Sequence, residues 1–438
     1  MRERPSIAAI VSDQKLPKMF MVRQSFPRPK IEPDQIPDVV AKLLNQEPYL
    51  SRVKPGMRIA ITVGSRGVAN VAITTKAIVD FVKKQGAQPF IVPAMGSHGG
   101  ATAEGQRAIV EGYGCTEEYL GCPIISSMEV KKIGVNEEGT DVFIDKNAAE
   151  ADGIIVSCRI KPHTDFRGPY ESGMMKMMTI GLGKQHGAEV CHEQGFKNMA
   201  KNVPLFGKAI IKYAPILFAV PTIENAYDET CRILAVPAEE IEEREPALLK
   251  ESFTYMPSIL VGEADMLIVD QIGKNISGCG MDPNISGVFG SPYASGGLNV
   301  QKCCILDLTE ETHGNATGVG VADAITKRLY EKMDLTSIYM NSITCTQLGG
   351  AKIPMIMESD KETIQAVVKS CVEIDKQNPR IVRIPNTLHI SRIMLSESYY
   401  EQAKADPNLT VESEPVEMPF DEDGQLWNSY EEWEKIWA

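Results

Sequence analysis

The residues most suited to chemistry lie in PHTDFRGPYESGMMKMMTIGLGKQHGAEVCH, positions 162–192. Lys176 stands there between two methionine pairs, with His163 before it and His186 and His192 after it. An amine early in an apolar helix is a candidate nucleophile or covalent attachment point. Both the helix dipole and desolvation disfavour its ammonium form. The plain alternative is a lysine whose stem lies on the core and whose amine reaches water. Ser172 or Glu171 is expected to cap this helix. His186 and His192 are six residues apart, so they fall on different helix faces and make a poor chelating pair.

Three residues, His163 among them, occupy matching places. Arg66 in TVGSRGVAN, His98 in AMGSHGG and His163 in IKPHTDF each follow an apolar run that reads as a strand. Imidazole suits proton transfer near neutral pH, and a guanidinium can clamp a carboxylate through two hydrogen bonds. The glycine-rich loop GKNISGCGMDPNISG, 273–287, offers backbone N–H groups that can wrap an anion, with Lys274 and Asn275 as its contact residues. It matches neither the P-loop nor the G-x-G-x-x-G pattern, and no G-x-S-x-G elbow is present.

The elements that must position these groups alternate. RIAITVGSRG reads as a strand ending in a turn, NVAITTKAIVDFVKKQG as a helix stopping at Gly86, QPFIVPAMGSHGG as a strand running into a glycine-rich loop, TAEGQRAIVEGYG as a helix capped by Thr102, and ADGIIVSCRIKPH as another strand whose end delivers His163. Such alternation predicts an α/β fold with mostly parallel sheets, whose ligand site lies beyond the carboxyl ends of the strands. Arg66, His98 and His163 are therefore expected to converge. The acidic VPAEEIEEREPALLKESF reads as a helical connector, and a second α/β unit is expected after it. In that unit NATGVGVADAITKRLYEKM and KETIQAVVKSCVEIDKQ read as helices. The expected division is 1–255, 256–400 and a tail 401–438, with the active site in the cleft between the two α/β domains. In the tail Trp427, Tyr430, Trp433, Ile436 and Trp437 share one helical face, which suits docking on the body or on another subunit of a homo-oligomer.

Bulk properties narrow the partners. The net charge of −13 argues against general nucleic-acid binding. Between Arg159 and Lys201, however, seven Lys/Arg face four Asp/Glu, a local surplus that suits a small anion. Ten cysteines include no C-x-x-C pair, so free buried thiols are expected. No apolar run reaches membrane-span length, and MRERPSIAAIVSDQK lacks the apolar core of a signal peptide. A cytoplasmic protein without membrane attachment is expected.

The ordered set GSRGVA (Arg66), GSHGG (His98), KPHTD (His163), SGMMK (Lys176) and VCHEQ (His192) resembles the nickel-dependent lactate racemase family over roughly residues 58–195. That family carries an arginine, two catalytic histidines, a lysine that bears the cofactor, and a metal-binding histidine sixteen residues after it. The resemblance implies a 2-hydroxy acid racemase or epimerase working by reversible hydride transfer. It implies a nickel-pincer nucleotide joined to Lys176 beside Ser172 and Gly173, with nickel bound by His192. His98 and His163 would then be the acid/base pair, and Arg66, Lys274 and Asn275 the contacts for a small anionic substrate. Cofactor-synthesis enzymes would be partners, and a preparation made without them would be an apo form. Departures from the family pattern are Val63 in place of an aspartate, Met174 in place of a glycine, and about three extra residues between His163 and SGMMK. These leave the substrate open. A hydride-transfer oxidoreductase or dehydratase on the same scaffold, or a non-catalytic binder of the nickel cofactor, are the alternatives.

Overall fold

The computed structural model describes residues 5–65, 67–344 and 346–426. The chain divides into two compact units. One is Pro27–Met256; the other joins the residues up to Phe26 with those from Pro257 onward.

Strand β1 (Met19–Gln24) belongs to the second of these units. The Pro27–Met256 unit holds β2 (Arg58–Val63), β3 (Gln88–Pro93), β4 (Val130–Val135), β5 (Asp141–Asp145), β6 (Gly153–Arg159), β7 (Ile216–Glu224), β8 (Thr230–Ile233) and β9 (Val236–Pro237). In its main sheet β3, β2, β6 and β7 lie side by side and parallel, and β8 and β9 pair antiparallel with β7. β4 and β5 form a separate antiparallel ribbon.

The parallel strands read as continuous apolar runs because both faces of the sheet are covered. Ile59, Ile61 and Ile155 point into one core, and Ala60, Ile154 and Val156 into the other. Helix Val71–Lys84 packs Ile78, Val79 and Val82 on the first face. Met174, Met175, Met178 and Leu182 pack on the second. Thr102 caps helix Ala103–Gly112 as expected, its hydroxyl accepting the Gly105 N–H at 3.0 Å.

The second unit adds β10 (Glu263–Ile272), β11 (Asn299–Leu308), β12 (Ala324–Thr326), β13 (Met355–Met357), β14 (Ile381–Ile384), β15 (Arg392–Ser396) and β16 (Leu409–Val411). Its eight-stranded sheet runs β13-β12-β11-β10-β14-β15-β1-β16, parallel from β13 to β14 and antiparallel beyond. The α/β class with mostly parallel sheets is therefore as expected. Among the described residues no helix is long and apolar enough to cross a membrane.

Several element assignments differ from expectation. The acidic stretch is helical as expected but no connector: helix Ile241–Tyr255 lies in the first unit and buries Ile241, Glu245, Leu248 and Leu249. NATGVGVADAITKRLYEKM is broken by Gly318 at φ +101° and supplies strand β12 before a short helix, Lys327–Lys332. The helix expected over KETIQAVVKSCVEIDKQ, Asp360–Ser370, ends before Cys371. The aromatic face from Trp427 onward lies outside the described residues.

Candidate active site

Lys176 is the third residue of a short helix, Met174–Lys176, that continues as a π-turn over Met177–Gly181 and then as helix Lys184–His192. The π-turn carries a Leu182 N–H to Met177 carbonyl bond of 2.9 Å. Such turns widen a helix and recur at functional sites. The methionines flanking Lys176 do pack: Met174, Met175 and Met178 are fully buried, while Lys176 is only partly so.

The expected Ser172 or Glu171 cap is not made. Ser172 instead exchanges two backbone bonds with Lys161, and Gly173 takes the cap position without a side-chain bond. The capping group comes from seventy residues away. Glu245 accepts the Met175 N–H at 2.8 Å, and its other oxygen lies where a β-carbon on Gly173 would collide at 2.3 Å. Burial pushes the Glu245 carboxyl up to about 8, against the Met175 and Met174 N–H groups that favour its ionised form. Position 173 has to be glycine for this oxygen to fit.

His192 closes helix Lys184–His192, its ring stacked on Phe196 at 5.6 Å and 25°. The imidazole also bonds the Ala188 carbonyl one turn back. That bond occupies one ring nitrogen as a donor and leaves the other with its lone pair. Burial, together with the nearby Lys176 ammonium, pulls this imidazole down to about 4. It is thus neutral at physiological pH, the form a metal requires. Burial holds the neighbouring Cys191 thiol up at about 12.

His163 follows β6 in a loop that Lys161 and Ser172 close. Glu171 is buried and accepts the His163 N–H at 2.7 Å and the Gly168 N–H at 3.2 Å. Arg167 donates to the His163 carbonyl at 2.6 Å and to Glu171 at 3.2 Å. The His163 ring lies 4.5 Å from Phe166 and 6.4 Å from Phe196. His163 and His192 therefore flank the same phenyl ring, with Lys176 close enough to His192 to shift it.

His98 is exposed, on the loop after β3. That loop touches the π-turn: the Gly96 N–H bonds the Gly181 carbonyl at 3.3 Å, and a β-carbon on Gly96 would meet Ile180 at 3.3 Å. Gln106 fixes the loop by donating to the Gly96 carbonyl at 2.7 Å and the His98 carbonyl at 3.2 Å. Gln106 is held in turn by the fully buried Lys184, whose amine donates to its side-chain oxygen at 3.0 Å and also to the Pro93 carbonyl. Lys184 sits 3.4 Å from the equally buried Asp145. Desolvation pulls the amine down and the carboxyl up, and their mutual attraction opposes both shifts.

Arg66 lies outside the described residues. Its neighbours are tied: Tyr113 donates to the Ser65 carbonyl at 2.8 Å, and the Ala69 N–H bonds Glu224 at 2.5 Å. Lys274 and Asn275 lie in the other unit, past the end of β10. Their loop spends much of its expected anion-binding capacity on itself. The Gly273, Ile276, Ser277 and Gly280 N–H groups bond within it, Lys274 donates to the Gly278 carbonyl at 2.8 Å, and Asn275 accepts from Thr309 at 2.7 Å. His186 is exposed, edge-on to Phe143.

The positive surplus of 159–201 is also largely neutralised. Acids from outside the segment offset it: Arg159 pairs with Glu224, Lys184 with Asp145 and Lys201 with Glu138. Among the described residues no three His, Cys, Asp or Glu converge as a chelating group.

Sequence reasoning missed Glu245, Lys184, Asp145 and Gln106. Only the first left a trace: Ile241, Glu245, Leu248, Leu249 and Ser252 share one helical face, which places a carboxylate on a buried stripe.

Residues 5–203 match the family model for the lactate racemase N-terminal domain. Among solved structures, the lactate racemase apoprotein from Thermoanaerobacterium thermosaccharolyticum aligns with a TM-score of 0.48 at 14% identity. That alignment covers 84% of this chain and 94% of that one. A protein from Thermotoga maritima aligns with a TM-score of 0.47 at 11% identity, over 64% of this chain and 71% of that one. The comparison with curated proteins yields no match. The expected resemblance to the lactate racemase family holds over the segment that the family model covers.

Proposed function

We propose that this chain, whose segment 5–203 belongs to the lactate racemase N-terminal domain family, is a racemase or epimerase of a 2-hydroxy acid that uses a lysine-tethered nickel-pincer nucleotide. The observation that carries this reading is that His163 and His192 share Phe196 as a ring neighbour, with Lys176 close to His192 at the start of a π-turn that the His98 loop touches.

The residues fit the group. Lys176 is half-buried on a helix anchored by Glu245, and its amine would form the covalent link to the nucleotide. Ser172 and Gly173 precede it as neighbours of that link. His192 is neutral and would give one imidazole nitrogen to nickel, a donor type that suits this metal alongside softer atoms from the group. When bound, the group would supply a reversible two-electron acceptor for the hydrogen on the hydroxyl-bearing carbon.

The chain's own residues would do the rest. His98 and His163 would take the proton from the substrate hydroxyl and return it, one imidazole serving each stereochemical face. Arg66 would hold the substrate carboxylate so that the flat keto acid stays oriented between the two half-reactions. Lys274 and Asn275 are further contacts proposed on donor chemistry alone.

The test is a panel of 2-hydroxy acids, sugar acids included, offered to protein produced together with the cofactor-synthesis enzymes. One substrate should become a mixture of C2 epimers. Accumulation of a single oxidised or dehydrated product, or no reaction with any acid, contradicts the proposal.

A further inference from the structure

We infer that Asp165 is a positioning residue that sets the proton state of His163, its backbone choosing the tautomer and its carboxylate supporting the cation. The consequence for catalysis rests on the racemase reading above; the proton state itself does not.

The geometry lies within one loop. The His163 backbone is clamped on both sides, its N–H to Glu171 and its carbonyl to Arg167. With the ring packed on Phe166, side-chain freedom is small. The Asp165 N–H donates to His163 Nδ1 at 3.0 Å. A nitrogen that accepts a hydrogen bond carries no proton, so the neutral ring holds its proton on Nε2. The Asp165 carboxylate lies 3.7 Å from that same Nδ1, beyond hydrogen-bond length but well within Coulomb range. Both side chains are mostly buried, at 11% and 18% exposure, so solvent screens the attraction weakly. The Thr164 hydroxyl donates to this carboxylate oxygen at 2.5 Å and helps fix its direction.

Two resting places thus exist for one nitrogen. A bare Nδ1 rests on the Asp165 N–H; a protonated Nδ1 is drawn to the Asp165 carboxylate. The resting ring, already protonated on Nε2, gains its second proton at Nδ1, and the carboxylate stabilises the resulting cation. The cation can then give its Nε2 proton to a substrate oxygen and take it back, Nδ1 keeping its own proton beside the carboxylate between the two transfers. The other charged groups on this loop, Glu171 and Arg167, pair with each other. Phe196, which the His163 ring approaches at 6.4 Å, also stacks with His192, and Lys176 lies near enough to His192 to act on it electrostatically. Asp165 falls in the stretch between His163 and Lys176 that is longer here than in the family pattern.

The chain has only six histidines, which makes nitrogen-15 NMR of the full-length protein, without cofactor, a direct reading. The expected wild-type result is a neutral His163 protonated on Nε2. Asp165→Asn keeps the backbone N–H, so the tautomer should persist while the His163 titration midpoint moves to lower pH. The His313 and His389 resonances serve as a folding control. A wild-type ring protonated on Nδ1, or an unchanged midpoint in a folded Asp165→Asn protein, overturns the inference; the wild-type tautomer decides it even if the variant does not fold. In the cofactor-loaded enzyme, Asp165→Asn should lower kcat with little change in KM and move the pH profile with the midpoint. If the NMR results hold but His163→Ala leaves racemisation intact, the racemase role of His163 fails and the proton-state assignment stands.

Discussion

The Glu245 carboxylate accepts the Met175 N–H at 2.8 Å, one residue before Lys176, and so anchors the start of the proposed tether helix from a segment seventy residues later in the chain. The anchor is also a pH-dependent cost. In the folded chain Glu245 titrates near 8, whereas an unfolded glutamate titrates at its ordinary 4.5. The folded state therefore holds the extra proton between these values, and stability falls as pH rises across that window. Urea unfolding from pH 5 to about pH 8 should show wild-type stability declining relative to Glu245→Gln, which stays neutral. Gly173→Ala should destabilise at every pH, because its β-carbon meets the Glu245 oxygen at 2.3 Å. Parallel pH curves for wild type and Glu245→Gln would refute the first expectation.

Lys184→Met tests the second anchor. The substitution leaves the Asp145 carboxyl buried without its cation and frees Gln106, which holds the His98 loop. A loss of about 3–5 kcal/mol is expected from urea unfolding, with partial recovery on adding Asp145→Asn. Hydrogen exchange should quicken over residues 96–106. Unchanged exchange there would mean that the loop is held by other contacts.

Nickel retention should depend weakly on pH. Burial keeps His192 neutral, and this cause survives even when the Lys176 charge is consumed by a covalent link. Metal content of the loaded protein should stay level from neutral pH down to about pH 5 and fall below it. His192→Ala should lose the metal while any mass added at Lys176 remains. Full metal in that variant would remove His192 as ligand.

His98→Ala and His163→Ala should each lower racemisation about 100-fold or more while leaving metal content unchanged. Loss of nickel in either variant would show that base and ligand had been exchanged in the assignment.

What the sequence made legible follows from locality. His98 and His163 stand after strands β3 and β6 because apolar runs ending in glycine or proline mark strand ends, and both strands are parallel members of one sheet. Lys176 among packing methionines was legible for a similar reason: its contacts are set by one helix face. The anchors were not, because Glu245 reaches Met175 and Lys184 reaches Asp145 and Gln106 across separate elements. Nothing local marks Lys184 as buried; a lysine is ordinarily a surface residue. The positive surplus misled for the same reason, since Arg159 and Lys201 find their partners, Glu224 and Glu138, in other strands and loops. Helix periodicity misread 315–333, where Gly318 and the short strand Ala324–Thr326 override it.

The most direct test is the mass of Lys176. Protein produced together with the cofactor-synthesis enzymes should carry one added pyridinium mononucleotide with its nickel, mapped by peptide sequencing to Lys176 and absent from Lys176→Ala. An unmodified Lys176 without nickel, from cells in which a known enzyme of this kind is loaded, would contradict the tether and with it the proposed function.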